Sequence, residues 1–232
     1  MSDDINKLIE RLPHKERHRL LAISEPVMLE LSQVLSEAGG PTDYVYFPTA
    51  GFISLVAVIE GSPGVEVGMV GREGMLGIQA VLGVTRAPLH SLVQGTGSAW
   101  RIGITAFQRE LLVSPLLQHS VHRYMYVLMA QLATSAACLR FHQIDQRLAR
   151  WLLMTQDRVC SDHLHVTHEF LAYMLGVRRV GITTAASAMQ RAGLIEYQRG
   201  SLIVLDRVGL EAAACSCYDV QRHTYTDLLE HL

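Results

Sequence analysis

The chain has 232 residues, 49% of them hydrophobic and 18% charged, which is enough for a packed core and excludes a disordered chain. The net charge of −2 neither favours nor excludes a nucleic acid as partner, because a DNA-binding protein can carry a local basic face. The acidic start at residues 1–4 and the lack of a long apolar run argue against export or membrane insertion, so we expect a cytoplasmic protein with reduced cysteines.

The first hundred residues change in character at Gly39. Residues 5–37 are predicted to form short helices, because apolar side chains recur at helical spacing until Pro13 interrupts them. Beyond Gly39, glycine-rich turns, one of them at residues 60–64, separate runs that favour strands. These runs are residues 44–47, 52–59, 65–70, 91–93 and 100–104. Several short strands at this spacing predict an antiparallel sandwich or barrel.

A long helix is predicted next. Residues 105–112 suit one helix, and Pro115 stands near the start of a longer one, a position that proline tolerates. A heptad seam runs along the longer helix at Val121, Met125, Leu128, Leu132, Ser135 and Leu139. Steps of four and three residues are typical of a two-helix coiled coil, so we interpret the seam as a dimer interface. The alternative is a core helix that packs on its own barrel.

The last third of the chain has the order of elements of a winged helix-turn-helix. An amphipathic helix at residues 143–158 precedes a polar loop. Thr167 is then a predicted N-cap of a helix that Gly176 closes. A second helix over residues 178–192 and two strands around the tip 199–200 complete the motif. Residues 140–207 hold nine Arg and six acidic residues, and their net charge of +3 suits a DNA-facing domain.

The order and spacing of several segments resemble the Crp/Fnr family of bacterial transcription regulators over nearly the whole chain. The segments are residues 166–172, 175–179, 189 and 193–195 in the reading head, 46–48, 51–54 and 71–77 in the barrel, and 146–152 between them. The resemblance implies an α+β fold with an N-terminal antiparallel β-barrel, a jelly roll of the cyclic-nucleotide-binding kind. It also implies a sensor domain (1–112), a long dimerisation helix (113–140) and a winged helix-turn-helix domain (141–232).

The DNA-binding residues follow from this motif, since the second helix of a helix-turn-helix lies in the major groove. Two arginines at its start oppose the helix macrodipole, which favours a function for them over a solvated helix end. The resemblance makes Arg179 the base-reading arginine and assigns phosphate contacts to Thr167, His168 and Arg178. The complete set of predicted DNA-binding residues is Thr167, His168, Arg178, Arg179, Val180, Thr183, Thr184, Arg199 and Gly200, the last two at the tip of the wing.

Two positions depart from the best-known members of the family. Those members carry a glutamate directly after the base-reading arginine and a second arginine four residues further on. Val180 and Thr184 stand there in this chain. Val180 cannot accept a hydrogen bond from cytosine N4 but can pack on a thymine methyl. The usual half-site of the family is therefore not assumed.

The predicted sensor pocket also departs from the cyclic-AMP-binding pattern, in which Gly-Glu holds the ribose hydroxyl and Arg-Ser or Arg-Thr holds the phosphate. Ile78 follows Gly77 here, and Ala87 and Pro88 follow Arg86. An unpaired ribose hydroxyl costs roughly 1–3 kcal/mol. We therefore expect a degenerate pocket for an unidentified small-molecule effector. Its candidate residues are Gly74, Gly77, Ile78, Arg86, Tyr124 and Leu128.

No cofactor and no metal site is expected. No cysteine precedes Cys138, which excludes the N-terminal iron–sulfur ligation of the oxygen-sensing members. Haem stays possible in principle, but no spacing singles out a ligand. Two weak metal signals remain open in the sequence. They are the loop group Cys160, His163, His165 and His168 and the pair Cys215 and Cys217.

The sequence therefore predicts a homodimeric DNA-binding transcription regulator that reads a near-palindromic operator, with RNA polymerase as a further partner. Phosphate-loop, nucleophile-elbow and zinc-protease motifs are absent from the sequence, so no enzyme is expected. The alternative is a ligand-binding or structural protein whose winged helix contacts another protein. Arg178 and Arg179 favour DNA over that alternative.

Overall fold

The structure, a computed structural model, describes residues 5–60 and 64–230, so most of the predicted turn at 60–64 and the acidic start lie outside it. The helices are α1 Lys7–Glu10, α2 His14–Ala22, α3 Ile104–Val113, α4 Pro115–Phe141, α5 Ile144–Val159, α6 His168–Leu175, α7 Arg179–Arg191, α8 Arg207–Ala213 and α9 Cys217–Tyr225. The strands are β1 Glu25–Leu29, β2 Val34–Ser36, β3 Tyr44–Ala57, β4 Val65–Val70, β5 His90–Gly103, β6 His163–His165, β7 Ile195–Gln198 and β8 Ser201–Val204. None of the described helices is both long and apolar enough to cross a membrane.

The N-terminal sheet confirms the predicted antiparallel β architecture, but the five predicted runs form only three strands, β3, β4 and β5, and the other two strands, β1 and β2, were not predicted. Its hydrogen-bonded order is β1-β5-β3-β4 with β2 also on β5, so the described strands form a path rather than a closed ring. The predicted runs 44–47 and 52–59 are one strand, because Gly51 (φ 74°) continues the strand instead of turning it. A Cβ at Gly51 would lie 2.1 Å from the carbonyl oxygen of Gly95, so this crossing requires glycine.

The prediction of helices over residues 5–37 is wrong in its second half. The first half contains α1 and α2, but residues 25–29 and 34–36 are strands that pair with β5. Glu25 pairs with Arg101 and Leu29 with Gly97. These partners lie about seventy residues further along the chain, so a local hydrophobic pattern contains no sign of the pairing.

Helix α4 lies against the sheet and buries much of the predicted dimer seam within its own chain. Val121, Leu128 and Ser135 are 0%, 9% and 5% exposed, so they cannot meet a partner subunit. Met125, Leu132 and Leu139 are half-buried. The seam as predicted is therefore wrong for its three buried positions. A heptad pattern shows that a helix has an apolar stripe but does not show which neighbour covers that stripe.

The reading head surrounds α5, whose Leu148 and Leu152 are fully buried in one core with α6, α7 and the small sheet β6-β8-β7. The predicted polar loop at 160–165 ends in a strand, β6. After the head, a π-helical turn at Thr226–Glu230 returns to the N-terminal core, where Leu229 joins Leu8 and Ile9. The division into three domains stays a prediction.

Candidate nucleic-acid interface and sensor cavity

The turn between α6 and α7 is fixed by local hydrogen bonds. Thr167 caps α6, since its Oγ1 accepts a hydrogen bond from the Phe170 amide at 3.1 Å. Gly176 ends α6 in the left-handed conformation (φ 60°), and the Val177 amide then donates to the Ala172 carbonyl at 3.0 Å. Two residues later α7 begins, with Arg178 as its N-cap. The predicted N-cap and helix end are confirmed.

Helix α7 presents the predicted base-contacting residues on one exposed surface. Residues at spacings of one, three and four share a helix face, and Arg179, Val180, Thr183 and Thr184 are all exposed. The opposite face, with Ile182, Ala185, Ala186 and Met189, is buried in the head. Val180 is 69% exposed, an unusual position for a large apolar side chain. The surface thus combines guanidinium groups with a methyl-bearing side chain.

His168 has a different environment from the one predicted. Its Nδ1 lies 3.0 Å from the Thr183 hydroxyl, and its ring stacks on Tyr197 at a centroid distance of 4.4 Å. Its Nε2 is buried without a partner among the described residues. Burial and the nearby Arg179 charge both lower the pKa of His168, so the ring tends to be neutral. His168 therefore ties α6 to α7 and the wing and is not presented to a phosphate.

The wing has one exposed residue at its tip. Arg199 is exposed and adopts φ 51°, whereas Gly200 (φ 87°) is buried and its carbonyl accepts a hydrogen bond from the Val166 amide at 2.8 Å. The Tyr197 hydroxyl donates to the Val166 carbonyl at 3.1 Å. Gly200 therefore shapes the hairpin and holds it to the start of α6, and Arg199 is the tip residue whose side chain can reach a ligand.

A cavity of about 220 Å³ lies between the sheet and α4, and only part of the predicted effector pocket lines it. Gly77, Ile78 and Leu128 do, in a wall that is almost entirely apolar. The other lining residues include Met75, Leu76, Leu82, Pro88, Met125, Met129 and Leu132. The cavity offers few polar groups to a ligand.

Three residues of the predicted pocket lie elsewhere. Arg86 is exposed and donates to the Gly39 carbonyl at 2.6 Å. Gly74 lies beneath the Tyr124 ring, where a Cβ would come within 2.2 Å of a ring carbon. Tyr124 lines a different cavity of about 490 Å³, whose wall contains several charged side chains, among them the ion pair of Arg158 and Glu73 at 2.7 Å. The six residues of the predicted pocket therefore do not line one cavity.

A buried carboxyl joins the sheet to the reading head, and the sequence gives no sign of it. Glu66 on β4 accepts hydrogen bonds from Trp151 Nε1 of α5, at 3.0 Å, and from the Ser54 hydroxyl. Burial raises the pKa of Glu66 to about 7, against the opposing effects of these two donors and of Arg150 and Arg158. Protonation of Glu66 near neutral pH is therefore coupled to the contact between sensor and head.

Comparisons with known proteins agree with this architecture. Residues 146–213 match a family model for the Crp-like helix-turn-helix domain. Solved structures share the fold along most of the chain. A transcriptional regulator of the Crp/Fnr family from Eubacterium rectale is 16% identical, with a TM-score of 0.68 over 93% of this chain and 97% of its own. FixK2 from Bradyrhizobium japonicum is 11% identical, with a TM-score of 0.71 over 83% and 98%.

A third solved structure is the c-di-GMP responsive global regulator CLP of Xanthomonas campestris, 16% identical, with a TM-score of 0.69 over 84% of this chain and 100% of its own. A search of curated proteins by sequence finds no match. At these identities, the structural likeness establishes the fold.

The C-terminal part of the chain is therefore a Crp-like helix-turn-helix domain, a motif whose second helix lies in the major groove of DNA. Along most of its length the chain shares the fold of the solved Crp/Fnr regulators.

Proposed function

We propose that this regulator reads a near-palindromic DNA site with α7, and that Arg179 supplies the base-specific contact. The observation that carries the proposal is the exposed surface of Arg179, Val180, Thr183 and Thr184 on the second helix of the motif. An arginine there can donate two hydrogen bonds to guanine O6 and N7. Val180, with no acceptor atom, fits the methyl group of thymine rather than cytosine.

Phosphate contacts would come from residues around α7. Arg178 and Arg199 are exposed at the N-cap of α7 and at the tip of the wing. Thr167 stands at the N-terminus of α6, where the helix dipole favours an anion. Such contacts fix the register of a protein on DNA without reading its sequence. Because Gly200 is buried and His168 is tied to Thr183, neither is needed as a phosphate contact.

Arg179→Ala is expected to weaken binding to the specific site by about 1–3 kcal/mol and to relax the preference at one base pair. The loss of a bidentate contact to guanine is the reason. Competition binding with specific and random duplexes measures both effects. Arg191→Ala, at the far end of α7, removes an equal charge and is the control. An unchanged ratio of specific to random affinity in Arg179→Ala would contradict the proposed role.

We further propose that the dimer forms through the exposed stripe of α4, one residue along from the predicted seam. Its members are His119, His122, Tyr126, Met129, Ala133 and Ala136, all exposed. Their steps of three and four residues are those of a coiled-coil interface. Tyr126 and Met129, each about 60% exposed, are large apolar side chains that a lone chain leaves in water.

We also propose that the effector is a small apolar molecule that binds in the 220 Å³ cavity. Ile78 and Pro88 line it, and Arg86 points away to the Gly39 carbonyl. An anionic cyclic nucleotide would lose its hydration there without gaining a charged partner. The half-buried Met125 and Leu132 of α4 also line the cavity, so a ligand could bias the packing of this helix. RNA polymerase stays a predicted partner.

Cyclic AMP and cyclic GMP are expected not to bind in the low micromolar range, because the cavity wall is mostly apolar and has no charged side chain to pair with the ribose hydroxyl or the phosphate. Isothermal titration calorimetry of the purified protein tests this. A one-to-one isotherm at micromolar concentration would contradict it. Ile78→Glu, which places an acid beside the predicted ribose position, shows whether the missing acid alone prevents binding.

A further inference from the structure

Three thiols and one imidazole meet at the end of the long helix α4. Cys138 and His142 come from the last turn of α4 and its C-cap, Cys217 is the first residue of α9, and Cys215 lies just before that helix. One donor atom from each of the four residues lies within 4.8 Å of all the others. The three cysteines are 1%, 4% and 6% exposed. The group is buried and consists entirely of strong metal ligands.

The short spacing within each pair of residues places its two side chains close together. Cys138 and His142 are four residues apart and so lie on one face of the helix end. Cys215 and Cys217 are two residues apart at the turn where α9 begins. Helices α4 and α9 pack against each other, which brings the pairs together across 72 residues of intervening sequence.

The distances suit a single ion. Cys138 Sγ lies 3.5 Å from Cys215 Sγ, and Cys217 Sγ lies 3.5 Å from His142 Nδ1. Zinc bonds of about 2.3 Å to sulfur and 2.0–2.1 Å to nitrogen, at tetrahedral angles, place neighbouring ligand atoms about 3.6–3.8 Å apart. An iron–sulfur cluster needs wider separation because its cysteines bind different irons. We propose that Cys138, His142, Cys215 and Cys217 bind one Zn²⁺ ion.

The charge around the group fits a bound cation with anionic ligands. Three thiolates and one neutral imidazole around Zn²⁺ carry a net charge of −1, and Arg147 and Arg150 of α5 lie close enough to interact electrostatically with Cys138. Arg150 Nη2 also donates to Ser135 at 3.1 Å, which holds it near α4.

The proposed zinc site differs from the sequence-based expectation of no metal site. The pair Cys215 and Cys217 is a weak signal in the sequence because its two partners, Cys138 and His142, lie far away in the chain at the end of α4. The structure does not favour the other weak group as a metal site. Its Cys160, His163 and His165 are exposed, and His168 instead contacts the Thr183 hydroxyl and stacks on the Tyr197 ring. A zinc ion at the new site would join the two chain ends of the reading head, which begins after His142 and ends before Cys215.

Metal analysis of the 232-residue protein, purified under reducing conditions with Zn²⁺ supplied, tests the proposal. We expect about one zinc per chain in the wild type and in Cys160→Ser, whose thiol is exposed and outside the group. Cys215→Ser and Cys138→Ser should lose the bound zinc, and His142→Cys should retain it as a four-thiolate site. Removal of zinc from the wild type should lower its Tm, because the ion binds only the folded arrangement.

Two readouts on the wild type remain decisive even if a cysteine variant fails to fold. Co²⁺ in place of Zn²⁺ should give the visible absorption of a tetrahedral thiolate site. The proposal is overturned if wild-type protein binds neither ion and a thiol reagent modifies all four unfolded cysteines. It is equally overturned if protein purified with reductant and Zn²⁺ still contains a disulfide between Cys138 and Cys215, seen as a mass lower by two hydrogen atoms than that of the fully reduced chain. None of these results depends on DNA binding, so they are independent of the proposed function.

Discussion

Ala133→Glu is expected to make the protein mainly monomeric and to lower its affinity for a palindromic duplex by on the order of 10²–10⁴-fold. Ala133 is exposed at the centre of the proposed α4 stripe and does not line the 220 Å³ cavity. Two copies of the glutamate would face each other across the dimer axis and lose hydration there. A monomer cannot place two recognition helices about 34 Å apart, so it loses the second half-site.

Light scattering and titration of full and half sites measure this effect. Val208→Glu, which also adds an acid at an exposed apolar position, is the control because α8 lies outside the stripe. Half-site affinity should be unchanged in both variants. If Ala133→Glu stays dimeric, another face of the molecule forms the dimer, and the exposed stripe of α4 is covered in some other way.

Glu66→Gln is expected to remove a pH dependence of stability that the wild type shows. In the unfolded chain the carboxyl ionises with its ordinary pKa of 4.5, and in the fold burial raises that pKa to about 7. Between these values the folded state holds the proton more tightly, so stability present at low pH is lost as pH rises through the window. The full loss is at most about 3 kcal/mol and is complete above pH of about 8.

Glutamine preserves the contacts of the protonated acid. Its carbonyl can accept from Trp151 Nε1, and its amide can donate to the Ser54 hydroxyl, which both donates and accepts. Urea unfolding at pH 5 and pH 8 should show a fall in stability for the wild type and a much smaller one for Glu66→Gln. Glu196→Gln, an exposed acid on β7, is the control. An equal fall in both Glu66→Gln and the wild type would mean that Glu66 does not titrate in this range.

The reading head could be predicted from the sequence because its information is local. The Thr167 cap, the Gly176 helix end and the hairpin at Arg199 and Gly200 are each set by residues within a few positions. The exposed side chains of Arg178 and Arg179 follow from the same short spacing. An N-cap or a left-handed glycine acts on its own turn of helix, so no distant partner is needed to recognise it.

Only the tertiary structure shows the features that depend on contacts between residues far apart in the chain. The strands at residues 25–36 exist because β5 pairs with them, and the inner face of α4 is the face that the sheet covers. The Glu66 carboxyl acquires a hydrogen bond from Trp151 only because α5, far along the chain, lies against β4. Cys138 acquires ligand neighbours only when α9 returns to the end of α4. Sequence periodicity determined that α4 is a two-faced helix. The partner on each face is chosen by packing of the whole chain, since burial is a property of all the atoms around a side chain.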